Sequence, residues 1–512
     1  MDVAIAQGND ARARLQDPLF RAQYQQLFLA CSWATAFQDI GFIDTWFAVY
    51  GERYAPVIVS AHDGAALTGV LVLACSQQGG LTVAGAHQAE YQGWLSRDDE
   101  FIVQALLAVR ASFPGQDVTF RFLPPGIPTS AIDAHARLAR AVRWETFPHA
   151  FIDTQTPAVK NWFRSKKKHK VNSLNRIAPL RFERIETRAR LAEEMERMAL
   201  SCDLRQGLAN GIVPFTDDPH KGAFHLALFD KPGLDVATLG VGDELIAFNL
   251  GMRSRDRVHL GVFAQTVWHR YAKYSPGELL VMMLAQALAA QDVPLLDLTP
   301  GGDGYKAALA TRTEAARALR VYARASQCTR ANAMVFVRGR VKQALQAAAP
   351  TLLQAPLRAR IARLMQMQPM GEWRLHGAGV SSAIELRENQ IADLRLALAG
   401  GRELRRQLLR QAVGALDRGA ALFTLVRGQR ILGVALLGAD PSSDAQRLEI
   451  AWLMPDRALV DEQAKWLQAV VQRSRGAIHL RAARFGFVAN VVRRAFGGHA
   501  RAGMRWRPAP QA

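Results

Sequence analysis

The stretch Tyr274–Lys306 concentrates residues whose types and spacing can do chemistry. It begins with Ser-Pro-Gly-Glu, in which Ser275 can cap a helix, Pro276 suits the first helical position and Glu278 can complete a capping box. The free N–H groups and the positive dipole end of a helix N-terminus also bind phosphate. Gly277 would let such a ligand approach the backbone closely. A well-capped structural helix and a phosphate site are therefore both open.

The same stretch continues into a strand and a glycine-rich corner. The apolar run LLVMMLAQALAA predicts a helix over 276–290, LLDL returns as a strand, and Pro-Gly-Gly-Asp-Gly precedes Tyr305 and Lys306. A helix of about fifteen residues extends roughly 22 Å before the chain turns back. The helix start and the glycine corner are predicted to line one cleft beside a strand at 246–252.

Length and composition limit the classes of protein. A chain of 512 residues is too long for one hydrophobic core, so several domains are expected. The net charge of +19 favours phosphorylated cofactors, nucleic acid or anionic membrane, although an arginine-rich composition also arises without a ligand. The four cysteines show neither zinc spacing nor a disulfide framework. No apolar run reaches the ~18 residues that span a bilayer, and we expect a cytoplasmic protein without a transmembrane segment or a metal.

Periodicity and turn signals divide the chain into consecutive parts. Two β-rich runs joined by Asp63-Gly64 predict a hairpin, residues 383–400 predict a helix, and residues 421–439 predict a second hairpin. Helices alternating with mainly antiparallel strands suggest layered α/β domains. The predicted parts are a polar segment over 1–24, an N-terminal half over 25–150, a catalytic domain over 151–325, a basic helical linker over 326–370 and a C-terminal α/β domain over 371–512.

Three motifs together carry a family resemblance. The hairpin GDELIAFNLGMRSRDRVHLGVFAQT, the SPGELL pattern and the ending LDLTPGGDGYK resemble the CelD/BcsL-like acetyltransferases, a FemAB-related branch of the GCN5-related N-acetyltransferase (GNAT) superfamily. The resemblance covers residues 155–325 well and 25–150 loosely. It implies an α/β, α+β-layered fold of tandem GNAT-like acyltransferase halves with mixed, mainly antiparallel sheets. The smaller C-terminal α/β domain would be a degenerate GNAT-like or docking domain.

The resemblance also implies acetyl-CoA as the acyl donor, with its pyrophosphate held by a strand, a loop and a helix N-terminus. The family loop reads Gln/Arg-x-x-Gly-x-Gly/Ala, a glycine spacing that this chain does not have between Arg270 and Gly277. Arg270 and Lys273 can supply positive charge in place of the missing amides. The implied cofactor-binding residues are Phe248, Leu250, Arg270, Lys273, Ser275, Gly277 and Glu278.

Acyl transfer needs a base for the acceptor amine or hydroxyl and an acid for the departing thiolate. Asp297 and Glu244 are candidate bases, and Tyr274 or Tyr305 is the candidate acid. Lys306 can offset phosphate charge or orient Asp297. Structural roles are also open: Asp297 can cap the Thr-Pro-Gly-Gly turn, Glu244 can be a solvated hairpin tip, and the tyrosines can belong to the core.

Histidines and lysines add further candidates. His259 and His269 lie near the predicted site in sequence, although a lone histidine is more often structural. The basic run Lys166–Lys170 predicts a helix whose charges spread around its circumference, which favours a solvated face. A sugar nucleotide, a lipid-linked phosphate, CoA phosphates or a tRNA backbone are the functional alternatives. If Asp297 is the base, its replacement by Asn should reduce turnover while leaving folding intact.

Three functions follow from these observations. The first is an acyl-CoA-dependent N- or O-acetyltransferase, acting on a small-molecule or sugar-precursor acceptor alongside the machinery of cellulose or exopolysaccharide biosynthesis. The second is a FemAB-like aminoacyl transferase, for which charged tRNA would be the one nucleic-acid partner and would explain the positive charge. The third is a catalytically inactive scaffold of a polysaccharide-synthesis complex.

Overall fold

The computed structural model describes residues 2–162, 167–231, 233–348, 370–375, 386–396, 401–440, 445–474, 478–483, 486–496 and 500–503. Contacts divide the chain into two units. One comprises Met1–Met198, Pro219–Gln265 and Tyr274–Lys342, and the other comprises Ala199–Asp218, Thr266–Lys273 and Gln343–Ala512.

The described elements follow one another in mixed order. Up to residue 184 they are β1 (Val3–Gln7), α1 (Gly8–Gln16), α2 (Pro18–Ala30), α3 (Ile40–Tyr50), β2 (Tyr54–Asp63), β3 (Ala66–Ser76), β4 (Leu81–Val83), β5 (Leu95–Ser96), α4 (Glu100–Ser112), β6 (Val118–Phe120), α5 (Ser130–Ala134), α6 (Ala136–Ala139), β7 (Val142–Asp153), α7 (Pro157–Asn161), α8 (Lys167–Asn175) and β8 (Leu180–Arg184).

The middle of the chain continues with α9 (Arg188–Asn210), α10 (Pro214–Asp217), α11 (His220–Phe229), β9 (Leu234–Val241), β10 (Glu244–Arg253), β11 (Arg257–Gln265), α12 (His269–Ala272), α13 (Pro276–Ala289), β12 (Leu295–Pro300), α14 (Gly304–Leu309), β13 (Arg312–Val321) and α15 (Ala325–Ala348). The last elements are β14 (Met370–Leu375), β15 (Arg387–Glu388), α16 (Gly401–Asp417), β16 (Ala421–Arg427), β17 (Arg430–Ala439), β18 (Gln446–Leu453), α17 (Val460–Gln472), β19 (Ile478–Ala483), α18 (Phe487–Phe496) and β20 (Ala500–Gly503). Short 3-10 helices lie at Ala36–Gln38, Ile391–Arg395 and Arg457–Leu459.

The first unit holds a five-stranded sheet in which β1, β2, β3 and β4 are neighbours and β5 pairs with β3. The hairpin predicted around Asp63-Gly64 is confirmed, with Asp63 opposite Ala66 and Gly64 at a φ of +54°. Helix α4 packs so closely on this sheet that a Cβ on Gly69 would lie 2.3 Å from the ring of Phe101. Glycine is needed there because the Phe101 ring occupies the space that a Cβ would fill.

An eight-stranded sheet completes the first unit, in the order β6-β13-β7-β12-β11-β10-β9-β8. Strand β7 lies near the middle of this sheet and pairs antiparallel with β12 on one edge and β13 on the other. The domain boundary expected at residue 150 therefore falls inside a central strand. The predicted helix at 276–290 and strand at 246–252 are confirmed as α13 and part of β10. Helix α13 buries Leu279, Leu280 and Leu284 completely, which anchors it to this sheet.

The second unit holds a seven-stranded sheet in the order β15-β16-β17-β18-β19-β14-β20. The hairpin expected at 421–439 is confirmed as β16 and β17. The helix expected at 383–400 is wrong where residues are described, because Arg387–Glu388 joins β16 as a strand and only Ile391–Arg395 is helical. The pairing of Arg387 with Thr424 of β16 is a tertiary contact that overrides local helix propensity, and the Arg387 side chain also forms an ion pair with the buried carboxylate of Asp393. Part of the predicted 326–370 helix also lies outside the described residues.

The fold class expected from the sequence, a mixed α/β architecture with mainly antiparallel sheets, is confirmed. Of the pairings in the described sheets, β11 with β12 and β18 with β19 are parallel, and the others are antiparallel. Among the described residues, every helix is too short or too polar to cross a bilayer.

Candidate active site

Strands β11 and β12 form a fork in the middle of the eight-stranded sheet. They pair in parallel only where Arg257–His259 lies beside Leu295–Asp297. Beyond His259, β11 continues to Gln265 and pairs with β10 on its other edge, after a bulge in β10 between Leu250 and Met252. In the described part of the chain, no strand covers the opposite edge of this segment. Such an edge offers backbone N–H and C=O groups to an extended ligand.

The first turn of α13 lies against the open part of β11. Gly277 donates its backbone N–H to Oε1 of Gln265 at 2.8 Å. A Cβ at Gly277 would lie 2.7 Å from that oxygen and 2.9 Å from Cζ of Phe263. Only glycine lets the helix start approach β11 this closely without displacing those side chains.

The capping box predicted for Ser275 and Glu278 is wrong. Ser275 has a left-handed backbone, with φ of 55° and ψ of 57°, and its side chain makes no capping hydrogen bond. Gln265 satisfies a first-turn N–H in its place. Pro276 does occupy the start of the helix as predicted. Residues of other elements therefore bind the groups that the capping box would have used. Gln265 accepts the N–H of Gly277, and the α8 lysines contact Ser275 and Glu278.

Two lysines of α8 supply positive charge at the same helix end. Nζ of Lys167 lies 2.6 Å from Oε2 of Glu278, and Nζ of Lys170 lies 3.5 Å from it. Lys170 also donates to Oγ of Ser275 at 2.9 Å. Burial tends to raise the pKa of Glu278, but the hydrogen bond and charge of Lys167 outweigh burial and lower the pKa. Lys168, which belongs to the same basic run, is exposed. Lys167 and Lys170 add positive charge to that of the helix dipole, and both favour an anion at the N-terminus of α13.

The glycine corner is held together by Lys306. Its side chain is buried, and Nζ donates to the carbonyl oxygens of Thr299 at 3.2 Å and Pro300 at 3.3 Å. Thr299 has a φ of +62° and Gly301 a φ of +143°, so the backbone turns here through conformations that most residues avoid. Asp303 lies 3.4 Å from the same Nζ. The side chain of Lys306 thus stabilises the corner by hydrogen bonds to the backbone carbonyl groups of Thr299 and Pro300.

Phe263 connects the two ends of the predicted cleft. The ring of Tyr305 stacks on it with 5.7 Å between centroids and 22° between planes. The ring of Phe263 also lies against Gly277. Burial, with a smaller contribution from Asp303, raises the pKa of Tyr305, which keeps its hydroxyl protonated at neutral pH. The Tyr305 hydroxyl therefore carries a proton beside the open edge of β11, and its raised pKa makes it a weaker acid than a free tyrosine.

Asp297 lies at the base of the fork in a buried network. Its Oδ2 accepts from the Tyr91 hydroxyl at 2.8 Å and lies 2.9 Å from Nδ1 of His259. Its Oδ1 lies 2.7 Å from Nε2 of His149 and accepts from the Thr299 N–H at 2.7 Å. Asp297 and His259 are 0% exposed and His149 is 1% exposed. Both oxygens of this carboxylate are engaged twice by the protein itself.

The electrostatics of this network favour an ionised carboxylate. Burial acts to raise the pKa of Asp297, but hydrogen bonds from His149 and His259 outweigh burial and hold the pKa well below its ordinary range. Burial and the neighbouring Asp297 charge raise the pKa of Tyr91 well above its ordinary value. A carboxylate with a depressed pKa and no open face is a weak proton acceptor, so its environment suits positioning more than proton transfer.

The other predicted site residues lie apart from this network. Phe248 and Leu250 are buried, and their strand β10 is paired on both edges. The open edge accordingly belongs to β11, whereas the family resemblance implies contact between the cofactor and the strand at 246–252. Glu244 is exposed at the first position of β10.

The residues before α13 divide between the two units. Arg270 and Lys273 belong to the segment Thr266–Lys273, which is grouped with the second unit, whereas the partly exposed Tyr274 belongs to the first. Both cations are exposed, and the Arg270 guanidinium lies 4.9 Å from the ring centre of Tyr271. His269 is exposed and donates its backbone N–H to Asp417.

Several residues of the site have no signal in the sequence. Tyr91 and His149 lie 206 and 148 positions from Asp297, and no short motif links them. Glu90 precedes Tyr91, lies 3.8 Å from Arg121, and has a pKa that burial raises. In the part of the chain that the structure describes, no group of three or more His, Cys, Asp or Glu side chains could hold a metal ion.

Comparison with known proteins identifies a domain family for the region that contains the fork. Residues 161–307 match the family model of the acetyltransferase (GNAT) domain. The chain therefore contains a GNAT-type acetyltransferase domain, which includes α8, β11, α13 and β12. No curated protein matches the sequence closely enough to add a relative.

Solved structures with a similar chain path have low sequence identity. A domain described as the C-terminal part of a putative lysylphosphatidylglycerol synthetase from Agrobacterium fabrum is 11% identical over 62% of this chain and 95% of its own, with a TM-score of 0.41. FemX is 9% identical over 58% and 95%, with a TM-score of 0.39. A tandem GNAT protein from the clavulanic acid biosynthesis pathway is 10% identical over 63% and 99%, with a TM-score of 0.36. Likenesses at this level do not establish a shared activity.

Proposed function

We propose that the GNAT-type domain transfers an acetyl group from acetyl-CoA to an amine or a hydroxyl. The observation that carries this proposal is the fork, where the open edge of β11 leads directly to the N-terminus of α13. An extended thioester arm can pair with the strand edge while its phosphates lie near the helix end. Lys167 and Lys170 lie at that helix end and favour phosphate further.

The proposed chemistry assigns different roles to the candidate residues. The acceptor atom forms a bond to the acetyl carbon as the carbon–sulfur bond of the donor breaks, and the proton that the acceptor loses passes to solvent. Tyr305, stacked beside the open edge, gives its proton to the departing thiolate and is reprotonated from solvent. Lys306 holds the corner that carries Tyr305. Asp297 orients the histidines at the base of the fork, a positioning role consistent with its burial.

The acceptor belongs to the class of small amines or hydroxyl compounds, and we propose a polysaccharide precursor in particular. This narrower proposal rests on the LDLTPGGDGYK ending and its resemblance to the CelD/BcsL-like branch. A panel of amino sugars, sugar nucleotides and simple amines, assayed by release of free CoA, tests it. Turnover confined to simple amines would contradict the sugar proposal and leave the acetyl transfer standing.

Binding of acetyl-CoA should raise the melting temperature. A ligand at one hundred times its Kd that binds only the folded state adds about 2.7 kcal/mol of stability. The measurement is a thermal scan with millimolar acetyl-CoA, with dephospho-CoA and charged tRNA as parallel ligands. A shift with tRNA alone would favour aminoacyl transfer, and no shift together with no CoA release would favour a scaffold. Either result would defeat the proposed function.

Replacing Gly277 by Ala should weaken acetyl-CoA binding about tenfold, equivalent to about 1.4 kcal/mol. The added Cβ must displace Gln265 and Phe263, which line the start of α13. Gly222→Ala in α11 is the matched control, because an added Cβ there lies 3.7 Å from Cγ of Met195, an ordinary van der Waals contact. Titration calorimetry measures both affinities. Equal affinities for the two variants would show that the ligand does not reach this helix end.

A further inference from the structure

A serine, a histidine and an aspartate lie in line at the start of β11. Oγ of Ser254 is 2.7 Å from Nε2 of His259. Nδ1 of the same ring is 2.9 Å from Oδ2 of Asp297. A base within hydrogen-bond reach of a hydroxyl, oriented in turn by a carboxylate, is the arrangement that activates serine nucleophiles.

The hydrogen-bonding pattern fixes the direction of proton movement. With the Nδ1 proton directed to Asp297, Nε2 can only accept, and the Ser254 hydroxyl is its donor. The backbone N–H of Ala36 donates to Oγ of Ser254 at 2.9 Å, which occupies an acceptor position and leaves the hydroxyl proton for His259. Tyr91 and His149 hold Asp297 from its other sides. The imidazole is thereby locked in one orientation.

Ser254 is the member of this line that reaches solvent. His259 and Asp297 are 0% exposed, whereas Ser254 is partly exposed in the turn between β10 and β11. Four residues of strand, about 13 Å, separate His259 from Phe263 in the fork. The hydroxyl therefore belongs to a position distinct from the open edge of β11.

We propose that Ser254 is a nucleophile for acyl transfer, with His259 as its base and Asp297 as the positioning residue. Oγ of Ser254 forms a bond to the acyl carbon of an ester or thioester as the bond to the leaving oxygen or sulfur breaks. His259 takes the hydroxyl proton on Nε2 and returns it to the leaving group. Water then attacks the serine ester by the same proton route, which releases a carboxylic acid and restores the hydroxyl.

The charges of the turn indicate the class of substrate. Arg253, Arg255 and Arg257 flank Ser254, with Asp256 paired to Arg257. Arg255 donates to the carbonyl oxygens of Phe28 and Leu29, so its charge is fixed beside the turn. A net positive field around the hydroxyl favours acyl compounds that carry a negative group. The substrate class is therefore an anionic ester or thioester.

A fluorophosphonate probe tests the nucleophile directly, because Oγ displaces fluoride from phosphorus by the same route. We expect one covalent adduct per chain in the intact-protein mass, mapped to the peptide that contains Ser254. Ser254→Ala should abolish the adduct. Ser76→Ala is the matched control, since Ser76, the last residue of β3, is also a partly exposed serine that accepts a backbone N–H, from Gly80 at 2.9 Å. Its adduct should equal that of the unmodified sequence.

The dependence on His259 separates a nucleophile from a structural hydrogen bond. His259→Gln should slow labelling about 100-fold, the contribution of a general base, in protein whose thermal transition is retained. Hydrolysis of 4-nitrophenyl succinate, an anionic ester, should fall in parallel and should exceed that of the uncharged acetate ester. If His259→Gln does not retain a transition, Ser254→Cys supplies the second test, because the introduced thiol should be alkylated faster than the four native cysteines.

Three results would overturn the proposal: no adduct on Ser254, an adduct unaffected by His259→Gln, or alkylation of the Ser254→Cys thiol no faster than that of Cys75. The acetyl-CoA experiments above do not depend on this outcome. If the protein binds acetyl-CoA but Ser254 is not labelled, the proposal of acetyl transfer stands and the proposal of a Ser254 nucleophile is wrong.

Discussion

Asp297→Asn is expected to lower the free energy of unfolding by about 3 kcal/mol at neutral pH. The substitution removes a fully buried charge that accepts hydrogen bonds from Tyr91, His149, His259 and Thr299. The amide must place a donor against groups that also donate, so at least one buried donor loses its partner. Urea denaturation followed by circular dichroism measures the change. The sequence alone predicts intact folding for this variant, and the burial of the network reverses that expectation.

The loss of stability should depend on pH in a defined direction. The folded pKa of Asp297 lies below the unfolded value, which is about 3.9. Its charge therefore contributes stability fully above about pH 4, and this contribution is lost as pH falls toward the folded pKa. The gap between the two proteins should be constant from about pH 6 to 8 and shrink below about pH 4. Asp243→Asn, at an exposed carboxylate, is the control and should show no such gap. A gap that widens in acid would contradict the assignment of an ionised, paired carboxylate.

Tyr305→Phe should reduce kcat for CoA release about 100-fold while leaving KM for acetyl-CoA nearly unchanged. The phenylalanine ring can still stack on Phe263, so the fork keeps its shape and only the proton donor is lost. Turnover is followed by reaction of the released thiol with a chromogenic disulfide. Tyr274→Phe, the other tyrosine near the helix start, should have a smaller effect.

The control for this experiment is a tyrosine outside the fork. Tyr54 lies in β2 with its ring 4.9 Å from that of Trp46, so Tyr54→Phe should retain full activity. A Tyr305 variant with unchanged kcat would remove this hydroxyl from the mechanism. An increase in KM with kcat unchanged would instead assign it to binding.

Sequence patterns predict those features that neighbouring residues determine. The helix α13, the hairpins around Asp63-Gly64 and at 421–439, and the strand β10 follow from apolar periodicity and turn residues. The cap at Ser275 is predicted by an equally local pattern and is wrong. Gln265 and Lys170 reach the helix start from other elements, and a motif of four residues contains no information about them.

The buried network shows a different limit. Asp297 and His259 are candidates from the sequence, but their partners Tyr91 and His149 come from the chain's first third. A single polar residue within an apolar strand carries no indication of its partner, because the pairing is decided by the register of distant strands. Ser254 likewise has the sequence context of an ordinary turn residue, and only the folded turn brings it onto His259.

The position of β7 in the eight-stranded sheet affects how the protein can be made. This strand lies between β12 and β13, and His149 on β7 meets Asp297 across 148 residues of chain. During synthesis, β7 leaves the ribosome long before either neighbour exists, so the middle of the sheet cannot close until β13, which ends at Val321, has emerged. Contacts this distant in sequence are associated with slow folding and exposed strand edges. We therefore expect expression at lower temperature to increase the yield of folded protein.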